Sequence, residues 1–469
     1  MTSRLARRRF TLGFPAADPP TPVLHSSNAP GAVLQLDIQS PRGLGRVRNR
    51  GGERNRNLHF FDGNDDLMLD LLQGIRVVSF NHFLLGPMGI QALADLGADV
   101  IAIETPEGAW QRHWSSGDIW RDGQGMLHMC TNRNKRSIAL DLKALKGKEI
   151  ALKLIDRADV VAENFRPGVM EKLGLGYDAL QQLKPALIYA SASGYGSDGP
   201  YAQRPGQDLL AQALFGIMAI TGQPEVGPRP AGVSVVDHHG AALLAMGILA
   251  ALVRRERTGK GCRVDVSLLQ AALDLQAESL TAWLNAPMRP TSVSARRHIA
   301  GWYYPAPYGV YATCNGHIVV SLSPLQALAD AIGEPNLASY SEQDTWTRRD
   351  EIADMIASRL KTETTEEWSR RMGQVQIWHA RVQDYQDLVE DAQVRHMHAL
   401  VTVQSEDRTG APITLVNHPL RYDGEAATVR LPPQPLGAQT RQVLGDLGFG
   451  AAEIAALIRE GVVRVDEKS

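Results

Sequence analysis

Residues able to do chemistry occur in this chain as short groups, and several fail the spacing test for a familiar reaction. Gly174-Leu175-Gly176 looks like the opening of a dinucleotide-binding fingerprint. That fingerprint must follow a strand and open a helix, whereas these glycines follow a helical pattern and read as a helix stop. Gly196-Ser197-Asp198-Gly199 lacks the GxSxG spacing of a hydrolase elbow. Thr258-Gly259-Lys260-Gly261 lacks the leading glycine and trailing hydroxyl of a phosphate-binding loop. Each reads as a turn. Cys130, Cys262 and Cys314 lie far apart with no CxxC spacing or Cys/His cluster. No zinc site is expected from them, and an odd, low cysteine count fits a reducing, cytoplasmic compartment.

Two carboxylates stand where helical patterns begin. Asp208, in Gly206-Gln207-Asp208, opens a helix, a position from which carboxylates cap backbone amides. Asp237 precedes a second helix and has His238 and His239 beside it. The cations Lys135, Arg136 and Lys172 read, by type alone, as solvated surface charge. These residues by themselves describe an α/β enzyme with an unidentified small-molecule ligand.

The elements that position them follow a regular rhythm from residue 74. Ile75-Arg76-Val77-Val78-Ser79-Phe80 reads as a strand, and Gly86-Pro87 opens a helix through Leu96. Asp99 to Ile103 is the next strand, completing a βαβ unit. Strands follow at 137–140, 159–162 and 186–190, with helices at 148–158 and, for most of its length, 168–183. Helical stretches at 207–218 and 237–254, a strand at 264–266 and a helix from Leu268 complete the series. Nearly all-apolar strands alternating with helices predict a Rossmann-like parallel sheet covered on both faces. Ligands bind such sheets at the carboxyl ends of the strands. From about residue 290 the texture changes. Aromatics and prolines at 302–311, a strand at 318–322 and charged helices over 342–372 predict a smaller α+β domain spanning 290–400. Gln439 to Val463 reads as helical.

The chain has 469 residues, enough for two or three domains at roughly 100–200 residues each. Its 49 Lys+Arg against 51 Asp+Glu leave a net charge of −2, which gives no reason to expect nucleic acid or a membrane surface as partner. The longest apolar run, 241–253, is shorter than the ~20 residues a membrane span needs and reads as a buried helix. Residues 1–67 are rich in Arg, Pro, Gly, Ser and Asn and read as a disordered tail. Arg7-Arg8-Arg9-Phe10 looks like the start of a twin-arginine signal, but 11–20 supplies no sustained apolar segment. Met68 is a natural alternative start.

Several segments, taken together and in order, resemble family III CoA transferases. This CaiB/BaiF-like group includes formyl-CoA:oxalate and carnitine-type CoA transferases and is related to α-methylacyl-CoA racemase. The segments are Gly86-Pro87 with 93–101; Asn134-Lys135-Arg136-Ser137-Ile138; Asp159-Val160-Val161 with Glu163-Asn164-Phe165-Arg166-Pro167-Gly168; Ser193-Gly194-Tyr195-Gly196 with Gly199-Pro200-Tyr201; Gly259-Lys260-Gly261 with 264–269; and 440–444 with Leu447-Gly448. The resemblance implies an interlocked homodimer. It also implies a large CoA-binding domain over 68–289, to which 401–469 returns after the small domain. It implies acyl-CoA and small carboxylic acids as substrates and no permanently bound cofactor. Phe83 and Leu84 would lie beside the pantetheine arm, Lys172 near a phosphate, and Lys135, Arg136, Asn164 and Phe165 against CoA. The family's nucleophile is an Asp in a Gly/Pro-rich loop after a Thr-Gly pair. The matching loop, 221–228, carries only Glu225, a departure from that pattern; the expectation is a ping-pong transfer in which Glu225 attacks the acyl-CoA carbonyl and carries CoA through an anhydride and a thioester, with Asp208 and Asp237 as the other candidates. In the racemase branch an Asp matching Asp237 works with a His where this chain has Gln207, and Gln cannot exchange protons at neutral pH. A racemase or epimerase, with His238 or His239 as replacement base, and a non-catalytic CoA-binding homologue are the alternatives. Arg296, Arg297 and His298 hint at a dicarboxylate or hydroxy acid, because Arg pairs well with carboxylates.

Overall fold

Six apolar runs pair in parallel into one sheet: β1 (Arg76–Phe80), β2 (Asp99–Glu104), β3 (Lys135–Leu140), β4 (Val160–Glu163), β5 (Ile188–Ser193) and β6 (Arg263–Ser267). The computed structural model describes residues 69–466 apart from 122, 295 and 406–409; the tail expected at 1–67, with Met68, lies outside the described residues. The sheet order is β3-β2-β1-β4-β5-β6, and a short strand, Val463–Arg464, pairs antiparallel on the β3 edge. The chain leaves the central β1 in one direction through β2 and β3, then restarts at β4 on β1's other side. That reversal opens a crevice between the carboxyl ends of β1 and β4, the place where sheets of this kind take ligands.

Helices follow in chain order through the large parallel-sheet domain: α1 (Leu85–Asp95), α2 (Met126–Thr131), α3 (Leu145–Asp156), α4 (Val169–Lys172), α5 (Tyr177–Leu183), α6 (Asp208–Leu214), α7 (Ile217–Thr221), α8 (Val235–Thr258), α9 (Leu268–Asp274) and α10 (Ala277–Asn285). One sheet face packs Val77, Val160 and Ile188 against Ile90, Leu244 and Ile248 of α1 and α8. The other packs Val78, Val161 and Tyr189 against Ile150 of α3, Leu180 of α5 and Leu444 near the carboxyl terminus. The helices expected at 168–183 and 207–218 are each divided, because Gly174 and Gly216 adopt φ of +75° and +94°, values that end an α-helix. By length and composition α8 could cross a bilayer, contrary to the expectation from its apolar run. Its Val236, Leu244 and Ile248 are buried in the core instead.

α1 and α8 approach with almost nothing between them. A Cβ on Gly89 would lie 2.8 Å from the Ala241 carbonyl oxygen, and one on Gly240 would lie 2.5 Å from Leu85 Cδ1. Glycine at 89 is needed against the Ala241 carbonyl, and glycine at 240 leaves room for the Leu85 side chain.

The residues from 299 to 377 form a core of their own around Tyr311, Ile318, Leu328, Ile356 and Trp368, under a three-stranded antiparallel sheet. Beyond them, a hairpin (Leu400–Gln404 with Pro412–Val416) packs Ile413 and Leu415 on Met129 of α2.

The returning chain is fastened by a buried polar knot. Asp95, at the end of α1, accepts two hydrogen bonds from Arg133 Nε and Nη2, one from Asn134 Nδ2, and lies 3.4 Å from His418 Nδ1. Asn134, at φ +60°, accepts from the main-chain nitrogens of Arg430 and Leu431 at 2.7 and 3.0 Å and donates its own N–H to Leu431 O. Replacing Asn134 by Ala leaves those donors and part of Asp95 unpaired and puts a Cβ-only residue in the left-handed region. Asn134→Ala is therefore expected to lower stability by about 3 kcal/mol, measured as a lower urea midpoint at unchanged slope.

Candidate functional site

The crevice between β1 and β4 is closed by one side chain. Asn164, just past β4, accepts from His82 N at 2.8 Å through Oδ1 and donates to His82 O at 2.7 Å through Nδ2. Its amide thus pairs with the loop after β1 as a neighbouring strand would. The His82 ring stands edge-on to Phe165 at 5.3 Å and to Phe83 at 4.7 Å. Phe83 has φ +60°, and its N–H donates to Gln111 Oε1 at 3.1 Å. A bulky residue held in that region is strained, a condition that concentrates at functional sites. The ring stacks on Trp110 at 4.4 Å, which stacks on Trp114 at 5.5 Å, and all three are partly exposed. An open aromatic lane therefore leads away from the crevice. Beside it α1 begins at Leu84 with no side-chain cap, which leaves first-turn amides for an oxygen ligand.

Asp237 is brought toward the start of α1 by the α1–α8 contact. It lies one turn before Gly240, which rests on Leu85, so the first turn of α8 stands beside the start of α1. Asp208 of α6 supplies the cap that α8 lacks: its Oδ1 accepts from Val236 N at 2.8 Å and Asp237 N at 3.1 Å. Asp208 is buried and so caps α8, not the helix it opens. Burial, and then the Asp208 carboxylate, push Asp237 up to about 7. Glu225 has a different setting. It is exposed on the tight turn from Gln223 to Gly227, whose Gln223 Nε2 donates to Arg297 O.

The expected CoA-contacting residues divide into two groups. Phe83, Leu84, Asn164 and Phe165 meet at the crevice. Lys172 is exposed at the end of α4, after exposed Arg166. Lys135 and Arg136 do not join them, because β3 begins at Lys135 and not after it. Lys135 is buried and donates from Nζ to Pro87 O, Thr131 O and Asn132 Oδ1, and burial brings it down to about 7. Arg136 grips both oxygens of Asp99 at 2.7 Å, at the amino end of the sheet. Arg296 pairs with Asp350 and Arg297 with Asp354, while His298 stacks on Tyr311. The residues not singled out from sequence are His82, Arg166 and Glu163, the last residue of β4. Their signal was position: all three lie at the carboxyl end of a strand that flanks the reversal of strand order. Among the described residues no group of three or more His, Cys, Asp or Glu could hold a metal ion.

The model of CoA-transferase family III matches residues 72–440. The acetyl-CoA:oxalate CoA-transferase of Acetobacter aceti is 36% identical over 303 residues, covering 63% of this chain and 76% of its own length. The succinate–glutarate CoA-transferase of Agrobacterium fabrum is 32% identical over 398 residues, 80% of this chain and 95% of its own. Among solved structures, an Asp-to-Ala mutant of Rv3272 from Mycobacterium tuberculosis superposes with a TM-score of 0.69 at 31% identity, covering 78% of this chain and 97% of that one.

The Asp208–Asp237 pairing can be tested apart from any activity. Asp208→Asn keeps an oxygen on the α8 amides and removes the charge, so the Asp237 carboxyl should titrate below about 7 in a carboxyl-carbon NMR titration. Asp208→Ala should also uncap α8, at a cost of about 1 kcal/mol. An unmoved Asp237 titration in the Asn variant would show that the two carboxyls are not coupled.

Proposed function

This chain belongs to CoA-transferase family III and is a CoA transferase, and we propose that it passes CoA from an acyl-CoA to a small dicarboxylic acid with Asp237 as nucleophile. The carrying observation is the placement of Asp237 at the head of α8, partly buried beside the uncapped start of α1. A carboxylate there attacks the thioester carbonyl carbon and CoA leaves as thiolate, which gives an acyl–aspartyl anhydride. The thiolate then attacks the aspartyl carbonyl, freeing the donor acid and leaving CoA on Asp237. The acceptor carboxylate reverses these steps, so one hard displacement becomes several easier ones. Main-chain N–H groups at the start of α1 supply the oxyanion's hydrogen bonds. An exposed Glu225 has no such donors described beside it. A dicarboxylic acceptor is supported by the names of the two relatives, which carry oxalate, succinate and glutarate.

The interlocked homodimer is supported by apolar side chains that stay exposed along α6, α8 and α9, among them Leu209, Leu210, Met246, Val253 and Leu273. Three unpaired cysteines support a reducing, cytoplasmic setting. Racemisation would need a second proton carrier opposite Asp237, and position 207 offers only Gln.

Incubation with succinyl-CoA followed by peptide mass spectrometry should place an acyl or CoA adduct on Asp237. Asp237→Ala should lose turnover by at least about a thousandfold, with Glu225→Ala within about twofold of the parent. An adduct on Glu225 would keep the reaction and reassign its nucleophile. Because Asp237 is held up to about 7 and acts ionised, kcat should fall as pH drops through neutrality.

A further inference from the structure

Glu163 has no part in the proposed chemistry, yet its carboxyl group anchors the turn that forms one wall of the crevice. It ends β4, is buried, and faces Ser191, its cross-strand partner on β5. One oxygen accepts from the Ser191 hydroxyl and the other from Phe165 N at 2.9 Å. The turn so fixed is the one whose Asn164 grips His82 and whose Phe165 ring meets the His82 ring. We infer that Glu163 is a positioning residue for CoA: its carboxyl fastens the Asn164–Phe165 turn to β5 and so holds the crevice wall in register with the loop after β1. This rests on the crevice being the CoA site.

The arrangement has a consequence that a purely structural tie would lack. Both protonation states satisfy the two contacts, since the Ser191 hydroxyl can donate or accept. Only the ionised state puts a charge behind the Asn164–Phe165 turn. The groups facing that charge are Ser191 and Tyr189 of β5, Glu171 of α4 and Arg263 of β6. Burial outweighs its two hydrogen bonds and pushes Glu163 up to about 7. A folded-state value raised above the ordinary 4.5 means that the neutral form is favoured, and that its contribution is lost as pH rises through about 7. The charge then formed repels the phosphates of CoA.

The test is the dissociation constant for free CoA by calorimetry, which needs no turnover. For the parent it should weaken about tenfold between about pH 6 and about pH 8.5. Glu163→Gln preserves both contacts without a charge, so its affinity should match the parent's low-pH value and stay flat with pH. The kcat rise assigned to Asp237 should survive in that variant. Ser191→Ala should weaken CoA binding without flattening the profile. Equal pH profiles for the parent and Glu163→Gln would overturn the inference. If the parent does not bind CoA at all, the crevice reading itself falls, a different outcome from the first.

Discussion

The contact between α1 and α8 is the constraint on which the site depends. Gly89 and Gly240 remove the two side chains that would hold these helices apart. Without that approach, α8 would still cover the sheet, but its first turn would stand away from the crevice. With it, two helix beginnings meet at the carboxyl edge, and one of them carries Asp237. Close packing of the two helices thus brings the Asp237 carboxyl toward the start of α1.

Polar groups then handle what packing cannot. Asp208 substitutes for a missing cap on α8, and in doing so sets a second negative charge near Asp237. Asn164 joins two loops across the reversal of strand order, just beyond the last β1–β4 pair, Phe80 with Glu163. Asp95, Arg133 and Asn134 hold the returning chain at the far end of α1. In each case a buried or half-buried polar side chain satisfies main-chain groups that regular secondary structure leaves open.

Much of the sheet was legible in the sequence, because a strand buried on both faces must be apolar throughout. Val77–Val78, Val160–Val161 and Ile188–Tyr189 announce themselves in this way. The family was legible for a different reason, the order of its short motifs. The site was only partly readable. Lys135 carries the residue type least expected inside a protein, and a strand starting two residues earlier than its apolar run sends that ammonium into the interior. Asp237 could not be ranked above Glu225 from sequence, since burial at the head of α8 depends on a glycine contact with a helix some 150 residues away. Glu163 sat inside a recognised motif, but its partner Ser191 is fixed only by strand register.

The strand Val463–Arg464 completes the β3 edge at Leu140 and Ala139, with the whole small domain lying between the two in sequence. On the ribosome, β3 must therefore wait with an unpaired edge until nearly the entire chain has emerged. All the residues of the separate core within 299–377 are made before that edge can be covered.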